Sequence, residues 1–249
     1  MSLHPHKRLM PDVTLWTGIA AIAVALLTVT EFSVQVFVVG ARPGLDEEAE
    51  LVDFMTRTST GTLLTILIDT MLMAALIVFL AGFRQLITHS EHTLQWVADL
   101  AYGAGLVFVA VTLVGDGMEA GTALDVTGMA GDYSVLRALT VGHTVLFGSI
   151  GCVLTALVAA ASGYVTLRSA VLPNWTGRIA YAVAILNLAA VPTMFGGTDP
   201  SSFLAAGGAG AALFATFPWL VWVVAVGIVA IRGRRRIRPV AGLNAVLPA

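Results

Sequence analysis

The sequence predicts an all-α fold, a polytopic membrane bundle of six transmembrane helices, and three observations carry that prediction. First, 57% of the 249 residues are hydrophobic and only 11% are charged, where a soluble domain has about a quarter of its residues charged; mean hydropathy is +0.89. Second, six apolar stretches are each close to the roughly 20 helical residues that a hydrocarbon core demands. Third, these stretches are apolar all round, without the period-two alternation of barrel strands. Thirteen Lys and Arg against fifteen Asp and Glu leave a net charge of −2. A soluble domain, a disordered chain and a nucleic-acid binder are thereby excluded. The single cysteine, Cys152, excludes a disulfide framework and any cysteine-based metal site.

The spans are expected at about 14–39, 61–83, 97–115, 135–164, 177–195 and 204–231, within a single domain 1–249 that ends in a basic tail, 232–249. The first follows Lys7 and Arg8 as a signal peptide would. Its apolar run, roughly 25 residues, exceeds the 7–15 of a signal core, so it reads as an uncleaved anchor. Pro192 and Pro218 are expected to kink the fifth and sixth spans. Orientation follows from the loops. Lys7, Arg8, Arg84, Arg168, Arg178, Arg232, Arg234, Arg235, Arg236 and Arg238 fall on one side, and only Arg42, Arg57 and Arg137 on the other. The second side also carries most of the acids, among them Asp46, Glu47, Glu48, Glu50, Asp53, Asp125 and Asp132. Positive charge stays inside, so both termini are expected in the cytoplasm and the acidic loops outside. Arg far outnumbers Lys, and Ala, Val and Gly are abundant. That composition is associated with GC-rich bacterial genomes, so the expected location is the inner (cytoplasmic) membrane, with membrane lipids as partners.

Ionisable groups inside a span cost roughly 2.5–3.5 kcal/mol each even on the lenient insertion scale, and they mark function by default. Glu31, Asp69, His143 and Asn187 each lie eight residues from the outer end of their own span, about 12 Å deep at the helical rise. Four helices therefore give one polar side chain each to one layer. Helical spacing extends it: Thr28, Glu31 and Gln35 share a face, as do Thr62, Thr65 and Asp69, and Thr112, Asp116 and Glu119 climb to the outer mouth. Asp116 and Glu119 are expected to be solvated at a helix end. Phe32, Phe214, Phe217 and Trp219 supply candidate aromatic walls. The inner halves are almost featureless, which points to a blind cavity opening outward.

Burial disfavours the charged form of a carboxyl, so Glu31 and Asp69 would titrate as a pair if they met, with His143 as partner or relay. One neutral acid and one base suit general acid–base catalysis. The favoured reading is an embedded isomerase or cyclase (lyase-type) enzyme acting on a lipophilic, isoprenoid-like substrate. In that reading Glu31, Asp69 and His143 are catalytic, while Gln35, Asn187, Asp116 and the four aromatics bind substrate. A second reading is a proton- or cation-coupled carrier (transport). A third is a structural or partner-binding protein whose polar groups hydrogen-bond across helices. No cofactor is expected. A divalent metal on Glu31, Asp69, His143 and Asp116 finds little support, since Glu-x-x-His pairings are absent.

Leu172-Pro173-Asn174-Trp175-Thr176-Gly177 resembles the Leu-Pro-x-Trp-x-Gly segment before the fifth span in an uncharacterised family of six-helix bacterial membrane proteins. The resemblance implies six spans and a membrane location, and no activity. Small membrane terpene cyclases are similar in size and reliance on intramembrane acids, with no motif in common.

Overall fold

A computed structural model describes residues 12–128, 132–169, 171–197, 199, 202–205, 208, 210 and 212–237. Lys7, Arg8 and the tail from Arg238 onward lie outside the described residues. The described chain is helical, with no strand, and six of its helices are long and apolar enough to cross a membrane. In hydrocarbon a helix satisfies its backbone internally, which is why apolar runs of this length take that form.

Helix α1, Val13–Val34, starts where Asp12 accepts from the Leu15 N–H at 3.2 Å. It ends in a π turn, Gln35–Val39, closed by Gly40, whose φ of 82° lets its N–H reach the Gln35 carbonyl at 2.8 Å. Helix α2, Glu48–Ser90, is one uninterrupted helix of 43 residues, about 65 Å long, twice the hydrocarbon thickness. Its first turn carries Glu48 and Glu50, the favourable sign for a helix N-terminus. Helix α3, Gln95–Gly128, follows a short 3-10 turn. Helices α4, Tyr133–Val145, and α5, Gly151–Ser169, are one span joined through a second π turn, Leu146–Ile150. Helix α6, Asn174–Ala190, runs into a 3-10 turn at Val191–Phe195 that contains Pro192. The last span opens with a third π turn, Ala212–Thr216, and continues as α7, Phe217–Ile237.

Two boundaries differ from expectation. The third span reaches Val126 rather than 115, because Asp116 and Glu119 are buried inside the bundle and do not end the helix. The sixth is described from Leu213, not 204. Residues 202–205 form a turn instead, and Phe203 O accepts from Gly210 N at 3.1 Å. Glycine is a poor helix former, and Gly207, Gly208 and Gly210 crowd this stretch.

The spans close a ring: α2 packs on α1 and α3, α3 on α4 and α5, α5 on α6, and α7 on both α6 and α1. One end of the ring carries Asp46, Glu47, Glu48, Glu50 and Asp132, and is called the acid-rich end below. The other carries Arg84, Arg168, Arg178 and Arg232 and is called the arginine-rich end.

Toward the arginine-rich end the packing is tight. A Cβ on Gly163 would lie 3.0 Å from Gly177 O, and one on Gly177 would lie 3.1 Å from Gly163 O, so α5 and α6 cross where neither carries a side chain. Trp222 meets Phe79 and Phe83 edge to face at 5.9 and 6.0 Å, each pair worth about 0.5–1.5 kcal/mol beyond its buried area. The outward faces are apolar instead, with Leu26 and Val36 64% and 61% exposed. The Leu-Pro-x-Trp-x-Gly segment has a local explanation. Pro173 precedes the first turn of α6, its carbonyl accepts from the Thr176 hydroxyl at 2.8 Å, and Gly177 forms the close crossing.

Candidate functional site

The site is built from three helix registers. Gly61 of α2 lies against Val38 and Val39, and antiparallel packing from that point sets Asp69 level with Glu31. Along α3, Gly105 sits under Leu80 and the Thr122 hydroxyl lies 3.9 Å from Met55 Sδ, which sets Asp116 level with Asp69. On α4, His143 Nδ1 lies 3.0 Å from Gly115 O. Three carboxyls from three helices converge as a result. Asp69 and Asp116 meet within hydrogen-bonding reach, and Glu31 interacts electrostatically with both.

Carboxylate oxygens only accept, so the Asp69–Asp116 contact needs a proton between the two groups. Asp69 Oδ2 and Asp116 Oδ2 are buried and receive no donor. Two hydroxyls nearby in sequence share that condition: Thr112, one turn before Asp116, and Thr140, three residues before His143, are each 1% exposed with Oγ1 unpartnered. Carbonyls also only accept, so in this contact the His143 Nδ1 is the donor and the Gly115 carbonyl the acceptor. The imidazole stacks on Phe147 with centroids 6.0 Å apart and planes 6° apart.

Beside the acids lies a cavity of about 70 Å³ whose wall includes Thr28, Glu31, Asp69 and Asn187, with Phe32, Phe108, Phe147 and Trp219 as its aromatic part. Val24, Leu72 and Leu76 also line it, and the buried Phe79–Phe83–Trp222 cluster stands farther along α2 toward the arginine-rich end. Asn187 is 1% exposed; its Nδ2 donates to Val183 O at 3.0 Å, and its Oδ1 has no partner. The Thr28 hydroxyl donates to Val24 O at 2.9 Å, which leaves its oxygen to face outward as an acceptor. One turn along α3 from Asp116, Glu119 is buried and bound by the Arg42 guanidinium, which comes from the segment after Gly40.

Placement differs from the sequence expectation at several residues. Asp116 belongs in the layer, not at the mouth, and it stands between Asp69 and the imidazole. His143 touches the cavity wall only through Phe147. Gln35 is exposed and stands outside the cavity wall, at the point where α1 gives way to the π turn. Phe217 is half exposed and stacks on Phe32 at 5.5 Å, and Phe214 meets Phe203 edge to face at 6.0 Å; neither lines the cavity. Phe108 and Phe147 do line it. Phe147 was findable as the i+4 neighbour of His143, whereas Phe108 carries no signal that separates it from lipid-facing aromatics.

Among the described residues no group of three His, Cys, Asp or Glu side chains could hold a metal ion. All three π turns lie at the level of the acids, after Glu31, beside His143 and Phe147, and at the cavity residues Ala215 and Thr216. Such turns recur at functional sites. The arrangement can hold a proton between carboxyls, pass it toward an imidazole, and offer acceptor oxygens to a small guest. No family model, no curated protein and no solved structure matches the chain.

Proposed function

We propose that the protein is a proton-coupled carrier of a small solute in the cytoplasmic membrane. The termini and arginine-rich end lie in the cytoplasm, in accordance with the retention of basic residues there, and the acid-rich end lies outside. Asp69 and Asp116 hold the exchangeable proton, Glu31 faces the solute, and His143 serves Asp116 from behind. The observation that carries this reading is the meeting of Asp69 and Asp116, deep in an apolar bundle and beside a cavity. Chains of acids and imidazoles at such depth are the common form of membrane proton relays.

Cavity size supports this reading over the enzyme. A pocket for a drug-sized or isoprenoid-sized molecule holds roughly 300–1,000 Å³, and the space beside Glu31 is about 70 Å³. An isomerase or cyclase acting on a lipid-borne substrate keeps one support. The Phe32–Phe217 stack stands where α1 meets α7, with Phe217 half exposed on the outer face. Lipid mass spectrometry of cells with and without the gene, compared with Glu31→Gln, tests that second reading.

The carrier is tested by a pH jump on proteoliposomes adsorbed to a sensor electrode. Proton binding to the layer moves charge, so the native protein is expected to give a transient current. Asp69→Asn and Asp116→Asn should each reduce it at least tenfold while keeping the thermal unfolding midpoint. A native protein with no transient, or variants with an undiminished one, overturns the proposal.

A further inference from the structure

The cavity wall mixes acceptors with donors, the Thr155 and Thr216 hydroxyls, the Cys152 thiol and the Trp219 indole N–H among them, yet two of its acceptors stay unpaired. Asp69 Oδ2 and Asn187 Oδ1 are buried acceptors without donors, in residues 4% and 1% exposed. Thr28 has spent its hydrogen on Val24 O, and Asn187 Nδ2 donates to Val183 O. Glu31 adds a carboxyl to the same wall. A buried acceptor left without a donor costs about 1–3 kcal/mol, so these two orphan oxygens call for a guest that brings N–H or O–H donors. The acids call for positive charge. Aromatic faces from Phe32, Phe108, Phe147 and Trp219 suit a cation in a desolvated site. The volume, about 70 Å³, suits a compact guest and not a lipid-sized one.

We infer that the cavity binds a compact primary ammonium ion, whose three N–H donors reach Glu31, Asp69, Asn187 and Thr28 while its alkyl end rests on the aromatic wall. The inference deepens the carrier reading and rests on it. The ammonium takes the place of the proton on the acid pair, so binding one cation releases one proton to the medium. Asn187 is the specificity residue, since its orphan oxygen separates an N–H donor from a cation that has none.

The test uses purified full-length protein in detergent, in weak buffer with a pH-reporting dye. Methylammonium chloride, tetramethylammonium chloride and sodium chloride are added at equal ionic strength, and thermal unfolding is followed alongside. Methylammonium is expected to release protons and raise the unfolding midpoint; tetramethylammonium and sodium should need at least tenfold higher concentration for either effect. Asn187→Leu and Thr28→Val, each close to isosteric, should each weaken the methylammonium response about tenfold. Equal responses to methylammonium and tetramethylammonium, or none to methylammonium, overturn the ammonium assignment. If the pH-jump transient persists in that case, the proton reading stands without it; if the transient is also absent, both fall.

Discussion

Two arginine–carboxylate pairs sit at opposite ends of the bundle, and their difference separates the half that holds the buried acids from the tightly packed half. At the acid-rich end Arg42 binds Glu119, with the side chains 21% and 7% exposed. At the arginine-rich end Arg84 binds Asp99, with 40% and 42% exposed, and its guanidinium lies 5.8 Å from the Tyr102 ring centre. The chemistry is the same and the surroundings are not. Arg84 borders an open groove of about 590 Å³ with His89 and His92, where water screens the pair. Glu119 instead has a buried Oε2 with no partner and Asp116 one turn away. The Arg42 guanidinium is therefore the positive charge that holds the outermost member of the acid row inside the protein.

The comparison can be broken most directly at Arg42. Removing one partner of a buried pair leaves an uncompensated charge, so Arg42→Leu is expected to destabilise by about 3 kcal/mol. Adding Glu119→Gln to the same chain should restore most of that loss. Thermal unfolding in detergent checks both, and an effect no larger than that of the Arg84 variant would remove the distinction between the two ends. Arg84→Ala should cost only about 0.2–1 kcal/mol, as exposed pairs do, and the loss should shrink further at 1 M salt, where screening is short-ranged.

The smallest effect sharpens the comparison at a helix start. Asp132 accepts from the Ser134 N–H at 2.8 Å and from its hydroxyl at 2.6 Å, and those bonds hold its carboxyl below the usual range. Its folded value is depressed, so its contribution to stability is full above the ordinary Asp value of about 3.9 and is lost as pH falls through the folded value. The difference in unfolding midpoint between the native protein and Asp132→Ala should be constant above about pH 5 and should vanish only in the acid range. A difference that already fades near neutrality would assign the cap to another group.

The six helices were legible because hydrophobic length alone demands them. The level of Glu31, Asp69 and Asn187 was legible too, because antiparallel neighbours of equal rise preserve depth. Asp116 was misread for a physical reason. A carboxylate that follows an apolar run reads as the end of a span, and nothing in α3 itself reveals that α2 extends 13 residues beyond Gly61 to bury it. Gln35 shares a helical face with Thr28 and Glu31 but stands at the exposed end of α1, and depth alone could not tell Phe217, half exposed, from an aromatic of the cavity wall. The ring order also had no sequence signal: α7 closes on α1 through Gly227 against Ala21 and Gly18, a contact between chain ends.

Each π turn holds one residue more than the α path across the same distance, and the three occur in the first, fourth and sixth spans. Half of the wall around the acids thus carries slack, while α2, α3 and α6 carry none at that level. A single-residue deletion inside a π turn can be absorbed by reverting to α geometry, with the span still crossing. The same deletion in α2 would rotate Asp69 by about 100° relative to everything beyond it. The chain is accordingly tolerant of a lost residue on three sides of its cavity and intolerant on the other three, a pattern that deletion scanning would display span by span.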